Sequence, residues 1–412
     1  MMSTKPILAD AVIIGGGAAG SLCAITAARR GLSVVVLEPN EKIGRKLRIT
    51  GKGRCNVTNN SDIRTVMNHI PDHSRFLYGA LTRFSTENTM QFFEELGVPL
   101  KTERGNRVFP VSDNANDIAD ALQMEMNRLG VTVLHEKAVE LTTEEGCISE
   151  VITSRRRIPA KRCVIATGGK SYPKTGSDGD GYRLAANLGH TIISPLPSLV
   201  PLVSDDRCCE ELQGLSLRNV ELFATEDNKT IYKERGEMLF THFGITGPLV
   251  LSASAHMRHF DSAEYRVILD LKPALDEKTL DLRILRDFGK YQNKAIRNAL
   301  GDLLPKAMIP VVLSRIAVPG GKPVHEITRE ERKKLIHELK HFVIPIAGPR
   351  PIDEAVITAG GVSTAEINPR TMESKLVFGL FFAGEVMDLD AYTGGYNLQI
   401  AWSTASLAGN SL

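Results

Sequence analysis

Two short apolar runs close to the N-terminus flank a stretch whose apolar residues recur with helical spacing. Residues 11–14 (AVII) and 32–37 (LSVVVL) read as strands, and the alanine-rich segment between them reads as a helix. Unbroken apolar runs of this length are typical of strands that are covered on both faces of a parallel sheet. The pattern therefore predicts a strand–helix–strand unit over residues 10–38.

The pattern then changes along the chain. Residues 39–60 are basic and rich in glycine, and predict a long loop. Helical periodicity predicts helices over 74–96 and 116–129, and strands are predicted over 131–135, 138–142, 148–153 and 162–166. After His190, short alternating segments predict a small antiparallel barrel or sandwich, with strands at 217–224, 230–233, 238–241 and 265–271. Amphipathic helices follow to residue 342, strands resume at Ile352, and an apolar helix covers 397–407.

A glycine turn joins the first predicted strand to the first helix. Gly15 permits the tight turn, Gly17 lets backbone N–H groups approach a pyrophosphate, and Gly20 lets the helix pack close to the sheet. Glu38, at the end of the second strand, is placed to accept hydrogen bonds from an adenosine ribose, and its charge disfavours a ribose 2′-phosphate. The flanking elements make the motif specific, and it predicts a bound dinucleotide.

Two further glycine turns follow apolar strands. One spans residues 166–169 (ATGG) and the other is Gly384-Glu385. We expect the last strand to return beside the first, as in two-segment flavoproteins. The helix after Gly394-Gly395 would then point its positive N-terminus at the N1/C2=O edge of a flavin. A second strand–GxGxxG–helix unit is missing from the sequence, which argues against a dedicated nicotinamide domain.

Composition and charge exclude several classes of protein. The six cysteines include no CxxC pair, which argues against a zinc site, an iron–sulfur cluster or a disulfide framework and favours a reducing cytoplasm. We predict no metal site. The apolar run at 11–14 is too short for a signal peptide, and no stretch of about 18 apolar residues predicts a transmembrane helix. The net charge of +2 alone does not indicate a nucleic-acid-binding protein.

Six sequence blocks resemble one bacterial family, the HI0933-like (BaiN/RdsA-type) NAD(P)H-linked, FAD-binding oxidoreductases. They lie at 15–20 (GGGAAG), 44–59 (GRKLRITGKGRCNVTN), 166–169, 175–190, 236–252 and 371–403. The resemblance spans nearly the whole chain. It implies one FAD per chain in an α/β, Rossmann-type domain of two segments, with an antiparallel β-barrel-like insert and a small helical insert. The expected segments are 1–194 and 346–412 for the FAD-binding domain, 195–275 for the barrel-like insert and 276–345 for the helical insert.

The candidate site residues follow from these motifs and from the resemblance. The expected cofactor-binding residues are Gly15, Gly17, Ala18, Ala19, Gly20, Glu38, Pro39, Arg45, Lys46, Gly51, Gly53, Arg54, Cys55, Ala166, Thr167, Gly168, Gly169, Gly384, Glu385, Gly394, Gly395, Tyr396, Asn397 and Leu398.

The candidate catalytic residues are Cys55, in the loop that passes near the flavin in the family, and His242, on a predicted strand of the insert. Lys52 and Arg54 would tune the Cys55 thiol. The alternative interpretations are that Cys55 is an unreactive residue in a tight loop and that His242 is a structural histidine.

Three functions remain open at this point. The first is a reductase that takes electrons from NADH or NADPH and passes hydride to a polarised C=C bond, with uridine in large-subunit ribosomal RNA as one substrate. The segment 276–342 carries 14 basic against nine acidic residues and could contact RNA phosphates, although an ordinary solvated helical face explains it equally well. The second is an oxidase of a small amine or aminoketone that uses oxygen. The third is a flavin-bound assembly factor without turnover.

Overall fold

The computed structural model describes residues 9–412. Within them the strands are β1 (Ala11–Ile14), β2 (Val34–Leu37), β3 (Thr58–Asn59), β4 (Leu100–Glu103), β5 (Arg107–Pro110), β6 (Thr132–Leu134), β7 (Ala138–Glu144), β8 (Cys147–Thr153), β9 (Arg157–Pro159), β10 (Cys163–Ile165), β11 (Ile192–Ser198), β12 (Leu202–Val203), β13 (Ser216–Glu226), β14 (Lys229–Thr241), β15 (Gly244–Thr246), β16 (Tyr265–Asp270), β17 (Phe342–Ile346), β18 (Gly348–Pro349), β19 (Ile357–Val362) and β20 (Leu380–Phe382).

The helices are α1 (Ala18–Arg29), α2 (Arg45–Gly53), α3 (Ile63–Asn68), α4 (Tyr78–Arg83), α5 (Thr86–Glu95), α6 (Ala115–Arg128), α7 (Asp180–Asn187), α8 (Cys208–Glu211), α9 (Pro248–Ser254), α10 (Glu277–Lys290), α11 (Ile296–Ala299), α12 (Met308–Arg315), α13 (Arg329–Lys340) and α14 (Tyr396–Ser411). In the described range, no helix has both the length and the apolar character to cross a membrane.

The chain folds as two units. The first runs to Ser198 and resumes over Pro351–Leu412, and the second is Leu199–Arg350. The predicted helical insert, and all of the predicted barrel-like insert except residues 195–198, therefore lie in the second unit. Their division into separate domains stays a prediction, as do its boundaries.

A five-stranded parallel sheet forms the centre of the first unit, in the order β20-β10-β1-β2-β6. Every residue of β1, β2, β10 and β20 is buried, as expected for strands with both faces covered. The predicted α/β, Rossmann-type class is confirmed. The expectation that the last strand lies beside the first is wrong, because β10 occupies that edge of β1 and β20 pairs with β10, Val164 opposite Phe381.

A seven-stranded antiparallel sheet dominates the second unit, in the order β17-β16-β13-β14-β15-β12-β18. Its two edge strands, β17 and β18, are consecutive in the chain and only Ala347 separates them. Because one residue cannot bridge the width of a flat seven-stranded sheet, the sheet must curl until its edges meet. It is therefore barrel-like, as predicted. Helices α10 to α13 lie between β16 and β17 in the chain.

Three details of the predicted elements need correction. The predicted loop over 39–60 contains α2 and β3, although α2 is kinked at Thr50, Gly51 and Lys52. The predicted helix over 74–96 is interrupted, because the Ser85 side chain accepts a hydrogen bond from the Asn88 backbone N–H and starts a new helix, α5. The strands predicted at 230–233 and 238–241 are parts of one strand, β14.

Candidate functional site

Turns at the carboxyl edge of the parallel sheet come together in the first unit. Gly15 follows β1 with φ of 104°, and a Cβ there would lie 2.5 Å from the Ala166 carbonyl oxygen, after β10. Gly384 follows β20, and a Cβ there would lie 2.8 Å from the Ala19 Cβ in the first turn of α1. The three glycine turns named from the sequence are therefore packed against one another, at the edge where ligands bind in open α/β sheets.

The N-terminus of α1 is open at this point. Gly17 is the N-cap, no side chain caps the helix, and its first turn has no acidic residue. A Cβ at Gly17 would have nothing within 4 Å. Free N–H groups and the positive end of the helix dipole then face an accessible space, which fits a phosphate group.

Glu38 lies beside this helix end and is buried. Its Oε2 accepts a hydrogen bond from the Gly16 N–H at 3.0 Å, and its Oε1 accepts one from the Asn40 N–H at 2.9 Å. Asn40 Nδ2 also donates to Oε1 at 2.6 Å, so Oε2 is the oxygen that keeps a lone pair free to accept a hydrogen bond from a ribose hydroxyl. The neighbouring Pro39 is exposed.

Lys46, one of the expected cofactor-binding residues, is engaged by protein partners. Its Nζ lies 2.7 Å from Glu385 Oε2 and donates to Ser171 Oγ at 2.6 Å. The Glu385 carboxylate also accepts a hydrogen bond from the Thr358 N–H at 3.0 Å. The charge of Lys46 therefore neutralises the half-buried Glu385, and its expected contact with the cofactor stays a prediction. Arg45 is exposed and donates to Asn40 Oδ1 at 2.5 Å.

Arg54 is likewise used within the protein rather than left free for an anion. Its guanidinium pairs with Glu103 and Asp113, each at 2.5 Å, and stacks 4.1 Å from the centre of the Phe109 ring. Lys101 pairs with the same Asp113 at 2.8 Å. These contacts anchor the segment 51–56 to the β4–β5 hairpin. The sequence did not predict this hairpin, because β4 carries no buried residue to give it an apolar pattern.

This anchor depends on pH. Arg54 lowers the pKa of Glu103 below its ordinary 4.5, and Lys101 together with Arg54 lowers the pKa of Asp113 below its ordinary 3.8. A carboxyl with a lowered folded-state pKa stabilises the fold above its ordinary pKa, and that contribution is lost as the pH falls through the lowered value. The anchor is therefore complete at neutral pH and weakens below about pH 4.5.

We expect Arg54→Gln to release the segment 51–56 at pH 7. Tryptic cleavage after Lys52 and amide hydrogen exchange in this segment should rise severalfold, because two ion pairs and a ring contact are lost. Arg107→Gln is the matched control, since Arg107 lies on the same hairpin and pairs with no carboxylate among residues 9–412. Equal exchange in the two variants would show that Arg54 does not anchor the segment.

The basic residues beside Cys55 do not activate its thiol as expected, and a catalytic role for Cys55 stays a prediction. Cys55 is fully buried, and burial raises the pKa of its thiol to about 12, although a hydrogen bond with Thr50 partly opposes the shift. Arg54 is engaged with its two carboxylates and does not activate it. A buried sulfur with a raised pKa is an unreactive packing group. Its signal in the sequence was its basic neighbours, one of which, Arg54, pairs with Glu103 and Asp113 instead.

The start of α14 forms the other end of the candidate site. Gly395, with φ of 99°, is the N-cap, and no side chain caps this helix. The Gly394 carbonyl accepts a hydrogen bond from Asn59 Nδ2 at 2.9 Å. Asn397 holds the preceding loop, because its Oδ1 accepts from the Ala391 N–H and its Nδ2 donates to the Ala391 carbonyl.

An aromatic cluster lies at the start of this helix. The sequence indicated Tyr396 as a site residue but not His69. The Tyr396 ring stacks on His69 at 4.3 Å between ring centres, and Tyr392 meets His69 edge-on at 5.9 Å. His69 Nδ1 lies 2.7 Å from the Thr65 carbonyl oxygen, so Nδ1 carries the proton and donates. Nothing near His69 in the sequence indicated a site, because the two tyrosines that contact its ring lie more than 300 residues away.

The remaining expected residues are divided between the two units. Gly51 and Gly53 lie in the kinked end of α2, and Thr167, Gly168 and Gly169 follow β10 in the first unit. Leu398 is half-buried in α14. His242 belongs to the second unit and is exposed. It was predicted to lie on a strand, but it lies in the turn between β14 and β15. There it borders an open cavity of about 400 Å³ together with Asp205, Asp206 and Glu210.

Comparison with known proteins gives a consistent result. The HI0933-like protein Rossmann domain family model matches residues 9–411. The chain is 33% identical to the 3-dehydro-bile acid delta(4,6)-reductase of Clostridium scindens, over 97% of this chain and 98% of that protein. It is 31% identical to the ribosomal RNA dihydrouridine synthase of Escherichia coli, over 96% of both chains.

Among solved structures, the 3-ketosteroid-delta4-(5alpha)-dehydrogenase of Rhodococcus jostii covers all of this chain and 98% of its own, with a TM-score of 0.51 at 15% identity. At that identity the match concerns the fold alone. The family match and the relatives above 30% identity span almost the entire sequence. The chain therefore belongs to the HI0933-like family and is an FAD-dependent oxidoreductase.

Proposed function

We propose that the chain binds FAD in its first unit and reduces a C=C bond conjugated with a carbonyl group, with NADH or NADPH as the source of electrons. The observation that carries this proposal is the open, uncapped N-terminus of α1, enclosed by the glycine turns after β1, β10 and β20. FAD would supply the hydride chemistry. The protein binds it, orients it and excludes water.

The roles proposed for the residues follow from their positions. The N–H groups at Gly17 and Ala18 hold the pyrophosphate, and Glu38 accepts hydrogen bonds from the adenosine ribose. The uncapped N-terminus of α14 stabilises negative charge on the flavin ring. NADH or NADPH as reductant is what the family resemblance implies.

The substrate chemistry is supported by what two relatives have in common. A delta(4,6)-reductase acts on double bonds of a 3-dehydro (3-keto) bile acid, and a dihydrouridine synthase saturates the C5=C6 bond of uridine. In both substrates the double bond is conjugated with a carbonyl, which makes its far carbon a hydride acceptor. We therefore propose an α,β-unsaturated carbonyl as the substrate class.

Within that class we propose uridine in large-subunit ribosomal RNA, because the segment 276–342 presents unpaired cations. Eight of its basic residues form ion pairs. Among residues 9–412, no carboxylate lies within ion-pair distance of the other six, all exposed: Lys278, Lys294, Arg297, Lys306, Arg329 and Lys334. Unpaired surface cations are the groups that bind phosphates by releasing counterions. The free cysteines are consistent with the cytoplasm as the site of action.

One anaerobic experiment tests this function. NADH or NADPH should bleach the flavin absorbance of the purified protein, and a large-subunit ribosomal RNA transcript added next should restore it and gain dihydrouridine by mass spectrometry. The double variant Lys294→Glu/Arg297→Glu should slow the second step about tenfold and leave the first unchanged, because two phosphate contacts are lost. Arg218→Glu/Lys229→Glu is the control, with the same charge change on exposed, unpaired cations outside the segment.

Each other outcome contradicts a defined part of the proposal. Bleaching by a small amine and not by either nicotinamide would indicate an oxidase. No bleaching by any donor would indicate a flavin-bound factor without turnover. Restoration by an unsaturated ketosteroid but not by RNA would keep the substrate class and exclude RNA.

A further inference from the structure

Asn56 carries a side-chain amide that the protein leaves without a partner. Its Oδ1 is completely buried and accepts no hydrogen bond from any residue between 9 and 412. Its Nδ2 likewise donates to none of these residues, but only the oxygen is fully buried. An unsatisfied buried polar atom costs about 1–3 kcal/mol. Such a group calls for an explanation, and a side-chain amide that the protein engages at neither end is available to a ligand.

The position of Asn56 indicates what that use is. A Cβ on Gly395 would lie 3.0 Å from Asn56 Oδ1, so the oxygen faces the N-cap of the 16-residue helix α14. An amide oxygen is favoured there, because the N-terminus of a helix is positive. With the oxygen turned to the helix, the NH₂ group is the end of the amide that remains to bind a ligand.

The backbone around Asn56 is held firmly. Cys55 has φ of 59°, a left-handed conformation that costs free energy for a residue other than glycine, and its N–H donates to the Thr50 carbonyl at 3.0 Å. The ion pairs of Arg54 fix the same segment from the other side. On the C-terminal side, Val57 donates its N–H to the Val108 carbonyl at 2.9 Å. The amide of Asn56 is therefore presented from a preorganised segment.

We propose that Asn56 Nδ2 donates a hydrogen bond to an acceptor atom in the pyrimidine part of the flavin ring. This inference rests on the proposed binding of FAD. That part of the ring bears two carbonyl oxygens and unprotonated nitrogens, and it becomes more negative when the flavin takes up electrons. A hydrogen-bond donor there binds the electron-rich form more tightly than the oxidised form. Asn56 thus raises the midpoint potential of the bound cofactor.

The variant Asn56→Asp separates this role from a purely structural one. Aspartate also places an oxygen near the N-terminus of α14, where the positive end of the helix favours negative charge, so a structural role predicts unchanged or higher thermal stability and an unchanged potential. As a flavin contact, it replaces a donor with an anion. The ratio of the dissociation constants of reduced and oxidised FAD should then rise at least about tenfold, which lowers the two-electron midpoint potential by about 30 mV.

The potential is measured by equilibrating the protein with a dye of known potential, and the melting temperature is recorded in parallel. Asn60→Asp is the control, because Asn60 is exposed and undergoes the same charge change four positions away. If Asn56→Asp does not retain FAD, Asn56→Ala is measured instead and should shift the potential in the same direction by a smaller amount. A potential equal to that of Asn60→Asp, or of wild type for the alanine variant, overturns the inference. Wild-type protein that binds no FAD contradicts the proposed function itself.

Discussion

An aspartate in place of Gly17 is expected to leave the chain folded and to reduce its affinity for FAD at least about a hundredfold. The backbone at Gly17 has φ of −79°, which any residue adopts, and a Cβ there meets nothing within 4 Å. The side chain would enter the space into which the N–H groups of α1 point. It would place a carboxylate where the pyrophosphate binds, and it would itself cap the helix, so both the charge and the donors become unavailable to the cofactor.

The measurement is the dissociation constant of FAD, from the quenching of its fluorescence, together with the circular dichroism spectrum. Gly301→Asp is the matched control, since Gly301 is exposed and a Cβ there also meets nothing within 4 Å. It should bind FAD as the wild type does. A Gly17→Asp protein that keeps its affinity would show that the phosphates bind elsewhere.

Gly20→Ala is expected to cost about 3–5 kcal/mol of the free energy of unfolding, although alanine is the better helix former. A Cβ at position 20 would lie 1.8 Å from the Gly15 carbonyl oxygen and 3.0 Å from the Gly15 carbonyl carbon. Both are backbone atoms of the turn that joins β1 to α1. The clash can be relieved only by moving the helix off the sheet, which opens the buried interface between them.

Gly289→Ala provides the matched control for this variant. Gly289 lies in the last turn of α10, and a Cβ there has nothing within 4 Å, so the same substitution should stabilise the protein by up to about 1 kcal/mol. Urea unfolding followed by circular dichroism compares the two. The single tryptophan, Trp402, is fully buried in the first unit, and its fluorescence reports the unit that contains Gly20. Equal effects of the two substitutions would contradict the close approach of α1 to β1.

The sequence predicted the parts of this fold that are encoded locally. The β1–α1–β2 unit combines two apolar runs, a glycine turn and an acidic residue within 28 positions, so each part supports the others. The curled antiparallel sheet could also be predicted locally, because apolar and polar residues alternate along its strands. The order of β20 and β10 could not be predicted, because packing rather than local pattern selects strand neighbours that are far apart in the chain.

The residues of the candidate site also fall into those that the sequence predicted and those that it did not. Glycines with a required conformation, such as Gly15 and Gly395, stand out in the sequence and lie where the motifs predicted. The ion pairs of charged residues were not predicted, because Lys46 and Arg54 have carboxylate partners 339 and 49 residues away that no local motif reveals. The free amide of Asn56 was missed for the opposite reason. An unsatisfied group is recognised only when all possible partners have been placed.

The pairing of Val164 with Phe381 also has a consequence for the order of events during synthesis. The edge of β10 stays open on the ribosome until the entire second unit, Leu199–Arg350, has been translated and β20 has emerged. The cradle for the coenzyme is incomplete throughout that interval, and a parallel strand edge is exposed to mispairing. We therefore expect the coenzyme to be bound only after β20 has been synthesised and has paired with β10.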